Sequence, residues 1–226
     1  MKKLFVSSSG TGIGKTLVSA ALIHQLKASG RTVRVLKPVI SGYTPDTHHE
    51  SDTGILLDSL GANHDGPAID RVSPFRFEAP LSPDMAAIRE GKSIDYDALL
   101  NVCRSAESGN EDVLLVEGVG GVMVPLMEDR TVLDWMAALN HPCVLVVGSY
   151  LGTISHTLTA VETLRLRDIP LAAVVISESE ESPVPPEETR DAIRRFAPGI
   201  EIAIVPRLSG PQPWRHAPDL TFLAEN

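Results

Sequence analysis

The sequence predicts an α/β fold, a doubly wound and mostly parallel sheet flanked by helices. Three observations carry this. Short runs rich in Val, Ile and Leu recur along the chain, each followed by a segment with helical patterning. The runs are continuously apolar rather than alternating, as in strands covered on both faces. The 226 residues show no repeat and no low-complexity linker, so the chain reads as one domain, residues 1–226.

The elements follow in order. The run "KLFVSS" (3–8) is the first strand. "GKTLVSAALIHQLKASG" (14–30) is a helix stopped by Gly30. "RTVRVLKP" (31–38) is a strand ended by Pro38. "SDTGILLDSLG" (51–61) is a helix opened by a capping Ser or Asp and closed at Gly61. "IDYDALLNVCRSAESG" (94–109) is the next helix, followed by the strand "DVLLVEG" (112–118). The helix "TVLDWMAALN" (131–140), the strand "PCVLVVG" (142–148) and the helix "TISHTLTAVETLRLRD" (153–168) come next. "LAAVVIS" (171–177), "PPEETRDAIRRF" (185–196) and "EIAIVP" (201–206) complete the set as strand, helix and strand. Residues 38–50 and 62–83 are the least regular. In such a sheet the ligand lies beyond the carboxyl ends of the strands.

Composition narrows the function. The chain is 43% hydrophobic and 22% charged, ordinary for a globular protein. Its net charge of −9 and lack of a basic block argue against a nucleic-acid partner. No apolar run is long enough to span a bilayer, which argues against a membrane partner. The opening "MKKLFV" is too short for a secretory signal, so a cytoplasmic location is expected. Cys103 and Cys143 each lie in an apolar stretch and read as reduced, buried thiols.

The segment "SSSGTGIGKT" (7–16) follows the first strand and opens the first helix. Backbone N–H groups at such a helix start point at phosphate. Gly10, Gly12 and Gly14 let the chain turn tightly near phosphate oxygen. Lys15 is placed to reach the outer phosphates and the Thr16 hydroxyl to bind Mg2+. The standard phosphate-loop pattern has Gly where Ser9 stands.

Three other stretches choose among nucleotide chemistries. In "VLKPVISG" (35–42), Lys37 ends the second strand and faces the same crevice, where it could hold an anion. Asp52 opens a helix, where its carboxylate could face a metal. In "DVLLVEGVGGVMVP" (112–125), four apolar residues deliver Glu117 to a strand's carboxyl end, the place of a second magnesium-side carboxylate. In "VVGSYLGTISHT" (146–157), the helix start after Gly152 exposes N–H groups of Thr153, Ile154 and Ser155, another anion site. His48, His49 and Glu50 suggest a transition-metal site, but no partner follows at zinc-site spacing, and the reading is set aside.

Together these motifs resemble the dethiobiotin synthetase family. The order "GTGIGKT", "KPVISG", "SD" (51–52), "PLSP" (80–83), "VEGVGG", "VVGSYLGTISHT" and "IVPRL" matches it over roughly residues 3–208. The resemblance implies an ATP- and Mg2+-dependent ring closure in biotin biosynthesis, with 7,8-diaminononanoate and CO2 as substrates. It implies that Lys15 and Lys37 are catalytic. Thr16, Asp52 and Glu117 match the family's magnesium ligands. Thr11, Lys37 and Ser41 match its residues around the carbamate and diamine. Gly12, Ile13, Gly14, Lys15, Thr16 and Leu17 belong to its nucleotide loop, with Gly118, Val119 and Gly120 beside it. Ser177, Glu178, Val205, Pro206 and Arg207 fall where the family holds the base. The family is a homodimer in which Gly152, Thr153, Ile154 and Ser155 hold the substrate carboxylate from the partner subunit. Three positions depart from the family pattern: Ser8 stands for Gly, Ser155 for Asn, and Ser177–Glu178 for the adenine-reading Asn–Asp pair.

Three other classes share the fold. A nucleotide-switched partitioning ATPase usually carries a second lysine early in the loop, where this chain has Gly10. A nucleotide-sensing relative, or a glutamine-dependent amide synthetase, is expected to carry a further domain, and 226 residues leave no room for one.

Overall fold

The computed structural model describes residues 1–225. The strands are β1 (Lys2–Ser8), β2 (Val33–Leu36), β3 (Val39–Ser41), β4 (Phe75–Phe77), β5 (Val113–Glu117), β6 (Pro125–Met127), β7 (Arg130–Thr131), β8 (Cys143–Val147), β9 (Leu171–Ser177) and β10 (Ile202–Val205). The helices are α1 (Lys15–Ala28), α2 (Asp52–Leu60), α3 (Gly66–Val72), α4 (Pro83–Arg89), α5 (Tyr96–Ala106), α6 (Val132–Leu139), α7 (Thr153–Leu166) and α8 (Pro186–Phe196).

The six strands predicted from the apolar runs form one sheet in the order β10-β9-β8-β1-β5-β2, and every pairing in it is parallel. The predicted parallel architecture is therefore observed. Two small pairs, β3 with β4 and β6 with β7, lie outside it. Helices α3 and α4 fall where the sequence lacks a clear period. Each is seven residues long and begins with Pro in its first turn.

Both faces of the sheet are covered. Because side chains alternate along a strand, Leu4 and Val6 pack with α1, α2 and α3, whereas Phe5 packs on the other face with α5, α6 and α7. Phe5 meets Trp135 edge-on, with ring centroids 4.9 Å apart. Withdrawing each such side chain from water contributes about 1.5–3 kcal/mol. Cys103 and Cys143 are both buried and unpaired, as expected, and burial pushes each thiol up to about 12.

Parallel pairing sends all six carboxyl ends to one edge. Ser8, Glu117 and Ser177 end their strands there, and Lys37 follows β2 by one residue. Residues more than a hundred positions apart in the chain thus become neighbours.

Candidate active site

Lys37 is the centre of the site. It is 2% exposed, and its ammonium lies 2.8 Å from Glu117 Oε1 and 2.9 Å from Asp52 Oδ2. It also donates to the Gly118 carbonyl at 2.8 Å. Burial opposes the charge, but Glu117 and Asp52 outweigh it and raise Lys37 above the usual lysine range. Asp52 answers in kind: burial works against its carboxylate, yet Lys37 holds it below the usual range.

Thr16 stands between the same carboxylates. Its hydroxyl oxygen is 2.7 Å from Asp52 Oδ1 and 2.9 Å from Glu117 Oε1. One hydroxyl hydrogen cannot satisfy two anions. Glu117 is fully buried, and its Oε2 has no hydrogen-bond partner among the described residues. An orphaned carboxylate oxygen beside a hydroxyl and a second carboxylate fits a hard divalent cation. The donor set is all oxygen, which suits Mg2+.

Lys15, at the start of α1, donates to the Ser8 hydroxyl at 3.0 Å. Burial first, then repulsion from Lys37, brings Lys15 down to about 8, with Glu117 and Asp52 pulling the other way. Ser8 in turn donates to the Gly120 carbonyl at 3.0 Å, joining the phosphate loop to the loop after β5. The two loops also touch backbone to backbone. A Cβ on Gly121 would lie 3.1 Å from both Cα and N of Gly10.

A cavity of about 370 Å³ opens over these groups. Thr11, Gly12, Ile13, Gly14, Lys15 and Thr16 form one wall. Lys37, Ser41, Asp52, Val119 and Gly120 complete it, with Ile40, which sequence reasoning does not single out. A second cavity of about 430 Å³ shares Gly12, Ile13 and Gly14. Its other residues include Leu17, expected in the nucleotide loop, and Ser177, Glu178, Pro206 and Arg207, expected near the base, together with Ser179, Glu180 and Leu208. Val205 is buried beneath it and accepts the Glu178 N–H at 2.9 Å. Gly14 has φ +102°, and a Cβ there would come within 2.5 Å of the Ser177 hydroxyl, so only glycine fits.

The start of α7 lies apart. Gly152, Thr153, Ile154 and Ser155 line neither cavity. Thr153 is buried and donates to the Gly148 carbonyl at 2.8 Å, while Gly152 and Ser155 are exposed. Leu151 beside them is 86% exposed.

The chain is similar to known proteins. A family model described as an AAA domain matches residues 2–213. The ATP-dependent dethiobiotin synthetase BioD of Acidiphilium cryptum (strain JF-5) is 50% identical over 196 residues, 86% of this chain and 88% of that protein. The chain belongs to the dethiobiotin synthetase family. Another dethiobiotin synthetase, from Phenylobacterium zucineum (strain HLK1), is 46% identical over 219 residues, covering 96% of this chain and 93% of its own. Among solved structures, the MinC:MinD cell division protein complex of Aquifex aeolicus aligns with a TM-score of 0.56 at 16% identity. It covers 91% of this chain and 81% of that one, and at that identity the likeness shows the fold alone.

Ser8, where the resemblance leads one to expect glycine, has a structural role of its own. Its side chain is fully buried and supplies the hydroxyl that Lys15 and Gly120 both use. The loop keeps its course because the tight turns fall at Gly12 and Gly14, both at positive φ.

Proposed function

We propose that the chain closes the cyclic urea of dethiobiotin from 7,8-diaminononanoate and CO2, at the expense of ATP, in biotin biosynthesis. The carrying observation is Lys37, a buried cation at the mouth of a phosphate loop, held between Asp52 and Glu117. Family membership supports the same reading.

In the reaction, one substrate amine adds to CO2 and loses a proton, giving a carbamate. A carbamate oxygen takes the γ-phosphoryl group from ATP, and ADP leaves. The second amine attacks the carbonyl carbon of the carbamic-phosphoric anhydride. The new C–N bond forms, phosphate departs and a proton is released. Two anions must meet in the phosphoryl step, so concentrated positive charge lowers its barrier. Lys15 and Lys37 supply that charge from the protein. Thr11, Lys37 and Ser41 are proposed to hold the carbamate and diamine. The second attack is intramolecular, so fixing the two amines accounts for much of its rate.

Thr16, Asp52 and Glu117 would hold Mg2+, which neutralises phosphate charge when bound. Ser177, Glu178, Val205, Pro206 and Arg207 are proposed to flank the base. The start of α7, with Gly152 to Ser155, is proposed to take the substrate carboxylate across a homodimer interface. We further propose that the chain works as a single domain, residues 1–226, in the cytoplasm. Among the described residues no helix is long and apolar enough to cross a membrane.

Phosphate release with Mg2+, bicarbonate and ATP, with and without the diamine, tests this. Release that requires the diamine supports the synthetase. Release indifferent to it would point to a nucleotide-switched ATPase instead.

A further inference from the structure

Three histidines gather outside both cavities. His48 and His49 belong to the 3-10 turn Pro45–Glu50, and His64 to the loop between α2 and α3. His48 Nε2 and His64 Nδ1 are 3.1 Å apart. One ligand nitrogen from each ring can be chosen so that all three lie within 4.8 Å of one another. The rings lie close together, with centroids 3.8 Å apart for His48 and His49, which are tilted, and 4.4 Å for His49 and His64, which are stacked. Their sequence spacing matches no zinc motif, and the fold supplies the third member.

One ring is oriented by a carboxylate. Asp58 Oδ1 is 2.9 Å from His64 Nε2. A carboxylate there takes the Nε2 hydrogen and leaves the Nδ1 lone pair turned toward His48, the arrangement that orients metal-binding histidines. The turn is also firmly seated. A Cβ on Gly54 would meet the His48 carbonyl oxygen at 2.2 Å and His49 Cα at 2.7 Å, so the turn lies directly on the backbone of α2.

We propose that His48, His49 and His64 form a binding site for a late-transition divalent cation of the Zn2+ class, with Asp58 orienting His64. Three imidazoles suit Zn2+, Ni2+ or Cu2+, and they do not suit Mg2+, which demands oxygen ligands. His49 is exposed, so the fourth position faces solvent. The ion joins the turn before α2 to the loop after it. It therefore steadies both ends of the helix whose first residue is Asp52.

The test is Zn2+ titration of the chelator-treated full chain in excess Mg2+, against a chromophoric zinc chelator. Co2+ absorption reports the coordination, and thermal denaturation reports linkage. One Zn2+ per chain is expected, undisplaced by Mg2+ and accompanied by a higher Tm. His64→Ala and His49→Gln should each weaken binding at least about tenfold and abolish the Tm shift. Because His49 is exposed, His49→Gln serves even where His64→Ala fails to fold. Absence of stoichiometric Zn2+ uptake, or uptake unchanged in His49→Gln, would overturn the proposal.

Discussion

Lys37 and Glu117 meet 2.8 Å apart at the carboxyl ends of two adjacent strands, both withdrawn from water. Neither can be removed quietly. Lys37→Ala leaves a buried carboxylate unpaired, which costs about 3–5 kcal/mol of stability. Turnover should fall by about 10²–10³-fold as the positive charge at the phosphoryl step is lost. Steady-state kinetics below the lowered Tm, with folding checked by circular dichroism, separates the two effects. Full turnover in a folded Lys37→Ala protein would remove the assigned role.

Glu117→Gln keeps the shape and discards the charge. The Mg2+ concentration for half-maximal turnover should rise at least about tenfold, because hard cations bind through anionic oxygen. Chelation of Mg2+ should stop turnover in the parent enzyme. An unchanged magnesium titration in the variant would show that Glu117 is not a metal ligand.

Asp134 gives a pH signature in stability rather than catalysis. Burial opposes its charge, but the Thr131 N–H, the Arg167 guanidinium and the Thr131 hydroxyl outweigh it and bring the carboxyl down to about 2. The folded value lies below the unfolded one near 3.8, so the stabilisation is present above pH 4 and is lost as pH falls toward 2. It amounts to about 2 kcal/mol. Asp134→Asn should lose that amount at pH 7, and its difference from the parent should shrink to about a few tenths of a kcal/mol near pH 2 and vanish below it. Chemical denaturation across that range measures it.

Ser177 offers a single hydroxyl oxygen where an amide would offer a donor and an acceptor side by side on two atoms. We expect ATP to be preferred over the other nucleoside triphosphates by less than about tenfold in kcat/KM, since strong selection needs a buried polar group that the wrong base leaves unpaired. Ser177→Asn should widen the preference. A parent enzyme already selective by several orders of magnitude would assign base reading to other residues.

Much of this was legible in the sequence. Parallel strands buried on both faces must be apolar along their whole length, so all six sheet strands stand out as runs such as "DVLLVEG". Lys37 and Glu117 were legible because each follows such a run directly. Helices α3 and α4 were not, because two turns carry too little period to show. The β3–β4 pair joins Val39 to Phe75, a contact made only by the folded chain. Ser8 is visible only as a departure from glycine, since its partners Lys15 and Gly120 meet through the loop geometry. His64 was hidden for the same reason.

The order of the sheet has a consequence for how such an enzyme can change. The strand ahead of Lys37 lies at one edge and the strand ahead of Arg207 at the other, with the phosphate loop rising between them. The group proposed to do chemistry and the groups proposed to read the base share only the glycine loop. Substitutions at distant sites without common partners act additively. Nucleotide preference can therefore drift in one lineage or be redesigned in the laboratory while ring closure stays intact, two traits inherited on opposite margins of a single scaffold.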